Sequence, residues 1–478
     1  MAVALFLVPL LFALAAFLVP SSRVRPWLVP LGAAMHFGLV IVALRENADV
    51  SAFGGWIVLD KLGRVALPLV STLFSGCSLY VPTYLRLRSE RPNRVFCGAL
   101  LTSLSMMTLI IISHHMGLMW VALEATTLAT APLLYFNQNA RSLEATWKYL
   151  LIGGAGIALA LLGSFFLAYS ALHAGIHGSL LVDELVRDAP LLSRPWLHTA
   201  FIVLFVGYGT KMGLAPMHTW KPDAYGEAPG LVGALLAGGL TTCAFLALLR
   251  FYQVCAAAGE GAFAREIMVV MGLLSMAVAG VFMARQRDYK RMLAYSSVEH
   301  MGILVLGIGI GGLAAFGAML HLVNNALTKG VLFIAAANIH RAYGTKTIDT
   351  VGGALRRVPA SAALFLAGFF AVTGSPPFGP FLSEFTILRG AFASGRYGIA
   401  AAFLALHFVV FVGMGGTVLA VVQGKPRDDL PDTGFHDGLG TVGPALILFI
   451  AVVVLGVWIP PGLEEALREA ASLVETGR

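Results

Sequence analysis

The sequence predicts an all-α polytopic membrane protein with about 14 transmembrane helices, each long enough for a hydrocarbon core of ~30 Å. Three observations carry this. Of 478 residues, 58% are hydrophobic and 12% charged, with a mean hydropathy of +0.82; soluble globular domains carry about 25% charge. Apolar runs recur from end to end, and lysine and arginine fall between them, except for Lys148, Lys211 and Lys329.

In chain order the runs centre near Phe12, Ala34, Leu73, Met106, Leu128, Ala160, Val206, Gly238, Leu274, Leu304, Leu327, Phe369, Val410 and Leu448. The first, "AVALFLVPLLFALAAFLVP", lacks a basic n-region, since Arg23 is the first basic residue, and so reads as a retained helix. The seventh run is broken at "KMGLAPM" by Gly213 and Pro216, and the twelfth at "TGSPPFGPF" by Pro376 and Pro377. Five spans separate the two breaks. Spans four to eight (95–250) and nine to thirteen (265–422) therefore read as two inverted five-helix repeats, each with one broken helix. Residues 1–94 hold the first three spans. Residues 423–478 hold the last span and a short amphipathic tail, "PPGLEEALREAASLVETGR".

Charge placement sets the orientation. Of the 32 Lys and Arg, loops after odd-numbered spans hold 18 and loops after even-numbered spans hold 9. The positive-inside rule then puts both termini outside. The formal charge of +7 is thus a topology signal, and no nucleic-acid partner is expected. Cys77, Cys97, Cys243 and Cys255 form no CxxC pair and no ligand cluster, and no Gly-rich phosphate loop follows a strand pattern. The expectation is no cofactor and no metal in this chain.

Ionisable groups inside apolar runs are the functional candidates, because a lysine at mid-bilayer costs roughly 2.5–3.5 kcal/mol. Glu124 sits mid-helix in "LMWVALEATTLATAPLLYF" and calls for a nearby cation, Lys211 being the natural partner. Lys148, four residues after Glu144, reads equally as a surface ion pair or a functional group. His321, Asn325 and Lys329 fall at i, i+4 and i+8 in "HLVNNALTKGVLF", one polar stripe that lipid cannot satisfy. Glu384 follows the second break and is read as the mirror of Lys211. His218, beyond Pro216, is a candidate relay end, while Glu299 and His300 read equally as relay members or as groups packed near a helix start. His407 reads as a satisfied core histidine, and His114 and His115 as interfacial.

Four segments in order, "KMGLAPMHTWKPDAYGEAP", "QRDYKRMLAYSSVEHMG", "HLVNNALTKGVLF" and "TGSPPFGPFLSEF", resemble the antiporter-like membrane subunits of respiratory complex I, Mrp antiporters and group 4 hydrogenases. The wording of "AYSSVEHMG" and "PPFGPFLSEF" is most similar to the F-type membrane proteins of hydrogenase-4 and formate hydrogenlyase. The resemblance covers roughly residues 60–422. It implies Glu124 and Lys211 as the characteristic pair, Lys148 as a lysine used in some members, Lys329 as the central lysine and Glu384 as the exit-side residue. It also implies a multi-pass protein of a bacterial or archaeal inner membrane, working beside other membrane subunits and a peripheral redox arm, with protons, or Na⁺ in their place, as cargo. Two positions depart from the pattern. The eighth span offers Thr241 and Thr242 where many members carry Lys or His, and Asn325 stands where a second His is common. The expected function is a proton-translocating subunit of a redox-driven complex of the hydrogenase or NADH:quinone oxidoreductase type. A cation/proton antiporter subunit and a partner of a bicarbonate-uptake zinc protein are the rival readings.

Overall fold

The computed structural model describes residues 1–45, 50–176, 179–426 and 433–477. Arg427, counted in the charge bias, and Arg478 of the tail lie outside the described residues. The fold is nearly all helical. Before the first repeat lie α1 (Ala2–Leu18), α2 (Arg25–Arg45), a two-residue-per-strand hairpin of β1 (Ser51–Ala52) and β2 (Ile57–Val58), and α3 (Lys61–Arg86). Next come α4 (Arg94–Ile112), α5 (Met116–Leu134), α6 (Ala140–His173), α7 (Val182–Asp188), α8 (Arg194–Met212), α9 (Trp220–Glu227), α10 (Gly230–Ala234) and α11 (Thr241–Ala257). The remainder is α12 (Gly261–Met283), α13 (Tyr289–Ile310), α14 (Leu313–Tyr343), α15 (Ala354–Arg357), α16 (Pro359–Val372), α17 (Gly379–Ala393), α18 (Tyr397–Val422), α19 (Leu439–Val457) and α20 (Pro461–Thr476).

Among the described residues, 11 helices are long and apolar enough to cross a membrane. α1 and α16 are shorter apolar helices, and α8, a 19-residue helix, ends at the first break. Both breaks fall where the glycines and prolines predict. Gly213 ends α8 in the left-handed region, at φ +77°, and α9 resumes at Trp220. Gly374, at φ +63°, lies between α16 and α17, and a Cβ there would overlap the Glu384 carboxylate. Counted from Pro216 and Pro377, Asp223 and Glu384 each lie seven residues on.

Small residues bring the spans together, as membrane packing requires. α6 and α8 cross closely enough that a Cβ on Gly207 would lie 2.6 Å from the Ala160 nitrogen. α12 and α13 meet at Gly272 and Gly302, where added methyl groups would lie 2.8 and 2.7 Å from the opposing glycine's carbonyl. α13, α14 and the α10–α11 span are buried on nearly every side and form the centre of the bundle. The α10–α11 span carries a π-helical segment, Leu235–Leu240, immediately before Thr241.

The connections sort into two faces. Asp60 before α3, His114 between α4 and α5, Asp183 on α7 and Arg250 within α11 meet on one face. On the other, Arg88 reaches Asn137 at 3.2 Å, Asn137 reaches the Glu227 carbonyl at 2.8 Å, and Lys346 reaches Glu227 at 2.7 Å. Four residues counted as loop charges, Arg25, Lys221, Arg250 and Lys290, are buried inside the protein.

Candidate functional site

The first group of polar residues is built where α5, α6 and α8 meet. Lys211 lies in the last turn of α8, fully buried, with Nζ 4.0 Å from Glu124 Oε2 on α5. Thr127 completes the pair: Lys211 Nζ donates to its Oγ1, which donates in turn to Glu124 Oε2 at 3.2 Å. Thr127 and Glu124 are three residues apart on one helix face, which puts both within reach of one amine. The ammonium also lies 5.2 Å from the Tyr149 ring centroid. Gly153 on α6 makes the room, since a Cβ there would sit 2.9 Å from Lys211 Nζ.

The second group surrounds the other break. Lys329 on α14 is fully buried and donates to Ser296 Oγ at 2.6 Å. One turn along α13, Glu299 Oε1 accepts from His407 Nδ1 at 3.0 Å, and His407 Nε2 lies 3.4 Å from Glu384 Oε2. His300 Nδ1 and His321 Nε2 are 3.0 Å apart, and His321 Nδ1 is 3.0 Å from Ser383 Oγ. Glu384 Oε1 stands 3.9 Å from His300 and 4.0 Å from His321. It is buried without a hydrogen-bond partner among the described residues, as are Glu299 Oε2 and His300 Nε2. Such atoms carry a desolvation cost of about 1–3 kcal/mol each unless water or a proton satisfies them. Asn324 fixes the break by donating to the Gly379 carbonyl at 2.7 Å.

The structure thus assembles Glu124 with Lys211, and Glu299, His300, His321, Glu384 and His407 with one another. Lys329 lies on the same stretch of α13 and α14. Asn325 is buried with its Oδ1 unpartnered among the described residues. Lys148 stands apart from Lys211. Its Nζ is 2.6 Å from Glu144 and 2.8 Å from Asp223, on a side chain 43% exposed. Asp223 also takes Arg291 at 2.9 Å, so it clamps α6, α9 and α13 together. His218 is buried beside Tyr295 and Phe282, with Nδ1 unpartnered among the described residues.

Three sequence expectations need correction. His407 is not a satisfied core histidine: it stands between two carboxylates, because α18 packs across α13 and the second break. Glu299 and His300 lie mid-helix in the buried face of α13, not near a helix start. His114 is buried, 3.2 Å from Asp60 and 3.4 Å from Asp183, and only His115 is half-exposed. Lys221 escaped notice altogether. It is fully buried and its Nζ donates to Ser297 Oγ at 3.1 Å. In the sequence it stands five residues after Pro216, a place that does not by itself separate a segment folded into the bundle from a loop in water.

Arg250 and Asp60 form a separate structural centre. The guanidinium takes both Asp60 oxygens at 3.1 and 3.2 Å and donates to the Ile110 and Ile111 carbonyls at the end of α4. Asp60 also caps α3 through Gly63 N at 2.7 Å. Burial alone would raise the Asp60 carboxyl, but Arg250 and His114 outweigh it and hold the group well below the usual carboxylate range. As for metals, His300, His321 and Glu384 offer three ligand atoms within 4.8 Å of one another. Cys77, Cys97, Cys243 and Cys255 are free and buried.

A helical membrane bundle with two broken spans, each beside buried amines and carboxylates, defines an antiporter-like membrane subunit. The chain belongs to the NADH:quinone oxidoreductase/Mrp antiporter transmembrane family, which matches residues 113–410. A hydrogenase-4 component F homolog from Methylacidiphilum infernorum is 33% identical over 99% of this chain and 100% of its own length. The NADH-quinone oxidoreductase subunit N of Desulforudis audaxviator is 30% identical over 84% of this chain and 82% of its own. Among solved structures, a chain of the Mrp complex from a Dietzia species superposes with a TM-score of 0.87 at 18% identity, covering 99% of this chain and 97% of that one. A chain of Thermus thermophilus respiratory complex I gives 0.83 at 23% identity, covering 99% and 100%. Relatives of this kind are membrane subunits of multisubunit complexes, and this chain is a multi-pass subunit of that class.

Proposed function

We propose that this chain moves protons across a prokaryotic plasma membrane, within a redox-driven complex of the hydrogenase or NADH:quinone oxidoreductase type. The observation that supports it best is Lys211, fully buried at a helix break, 4.0 Å from the Glu124 carboxylate with Thr127 between them. A salt bridge meant only for stability gains little from a glycine- and proline-broken helix beside it. A proton carrier gains mobility and free backbone groups.

In this reading Glu124 and Lys211 form one loading site, and Lys329, Glu299, His407, His300, His321 and Glu384 form the second. Lys148 and His218 feed protons from the face that carries Arg291. Residues 95–250 and 265–422 are two inverted repeats of a fourteen-span bundle, with both termini outside. The redox centres belong to partner subunits, and this chain holds none.

Vesicles containing the assembled complex and a lumenal pH dye test the proposal. Electron transfer should drive proton movement that is lost when this chain is deleted from a complex that still oxidises its donor. A deletion complex that moves as many protons per electron would overturn it.

A further inference from the structure

We propose that Lys221 is a further proton-carrying group, standing between Lys211 and Lys329. The inference rests on the proton-transport reading above and extends it to a residue that stands out only once the chain is folded.

Three observations carry it. First, the Lys221 and Lys329 amines are held by adjacent hydroxyls of α13: Lys221 Nζ donates to Ser297 Oγ at 3.1 Å and Lys329 Nζ to Ser296 Oγ at 2.6 Å. A serine hydroxyl donates and accepts, so each can pass a proton as well as hold the amine. Second, the side chain of Lys221 runs over the end of the Lys211 helix. A Cβ on Gly213 would overlap Lys221 Cδ and Cε and lie 2.8 Å from Nζ. Gly213 thus ends one lysine's helix and opens the slot through which the next lysine passes. Third, Lys221 is fully buried, and among the described residues no carboxylate lies within 4.0 Å of its amine. The Tyr225 ring also lies near the amine, 5.7 Å from Nζ to centroid.

A lysine kept for stability at this depth is expected to hold a carboxylate. An amine held by a hydroxyl and a ring is free to give up its proton and take another. The neighbouring span supplies no substitute, since "GLVGALLAGGLTTCAFLALL" in α10 and α11 contains no lysine, histidine or carboxylate. Lys221 therefore bridges the two groups of polar residues from the broken helix itself.

The experiment uses the assembled complex in vesicles, with Lys221→Leu and Lys221→Arg compared with wild type and Lys211→Met at matched complex content. Both Lys221 variants are expected to lose about tenfold or more in proton uptake, while electron transfer to an artificial acceptor continues. Arginine keeps the charge and the hydrogen bond but cannot release its proton. A merely structural lysine would therefore be replaced by arginine without loss. Should the leucine variant fail to assemble, the arginine variant decides alone. If Lys211→Met stops transport and Lys221→Arg runs at the wild-type rate, this inference is wrong and the proton-transport reading stands. If Lys211→Met also runs normally, it is that reading which fails.

Discussion

Replacing Lys211 with methionine, and separately with arginine, tests whether the buried amine is switched or merely paired. Its Nζ lies 4.0 Å from Glu124 Oε2. At an effective dielectric of about 20, unit charges interact by about 4 kcal/mol at that distance and about 2.4 kcal/mol at ~7 Å. A ~3 Å withdrawal of Glu124 therefore changes the lysine's proton occupancy roughly twentyfold. Motion of that size at a helix break is enough to load or release a proton. Methionine fills much the same volume but cannot hold the proton, so transport should stop. The Glu124 side chain is 29% exposed and so is not sealed inside the bundle, and the complex should still assemble. Arginine keeps the ion pair yet holds its proton at any accessible pH, so it should fail too. The assay is donor-driven proton uptake by reconstituted complex at matched protein content. An arginine variant that transports at the wild-type rate would refute the mechanism, because only a static salt bridge tolerates that exchange.

Five further outcomes are expected. His407→Leu removes a charge-assisted hydrogen bond to Glu299, worth about 1.5–3 kcal/mol, and should slow proton uptake roughly tenfold or more without loss of assembly; wild-type uptake would return His407 to the core. Arg250→Leu strands the Asp60 carboxylate and should cost roughly 3–5 kcal/mol of stability, read as a lower thermal midpoint in detergent. Because the Asp60 carboxyl is held below its ordinary value, its contribution should be complete above about pH 5 and be lost only as pH falls through the lower folded value; a wild-type loss already complete at pH 6 would contradict it. Cysteine labelling in intact cells should reach the C-terminus and spare the Arg287 loop, and the reverse pattern would invert the topology. Metal analysis and an absorption spectrum of the purified chain should show no stoichiometric iron, flavin or zinc, and one tight zinc would assign His300, His321 and Glu384 to a metal.

The helical membrane class, the two breaks and most of the polar candidates were legible in the sequence, for one physical reason. Hydrocarbon penalises every charge and every loosened backbone group, so Glu124, Lys211, Lys329, Gly213 and Pro216 stand out against the apolar runs around them. Two of the four sequence segments that carried the resemblance, the Lys211 and Glu384 ones, are also those that fold into the breaks. Which polar groups touch was decided only by tertiary packing. His407 lies far along the chain from Glu299, and nothing in its apolar helix says that α18 will lay it between two carboxylates. Lys221 read as a loop charge because composition cannot tell a half-helix folded into the bundle from a segment in water. Thr127 and Ser296 looked like ordinary small residues until the helices closed and turned their hydroxyls toward buried amines. The bilayer writes the cost of each charge into the sequence, whereas its partner is set by long-range helix packing, which leaves no local trace.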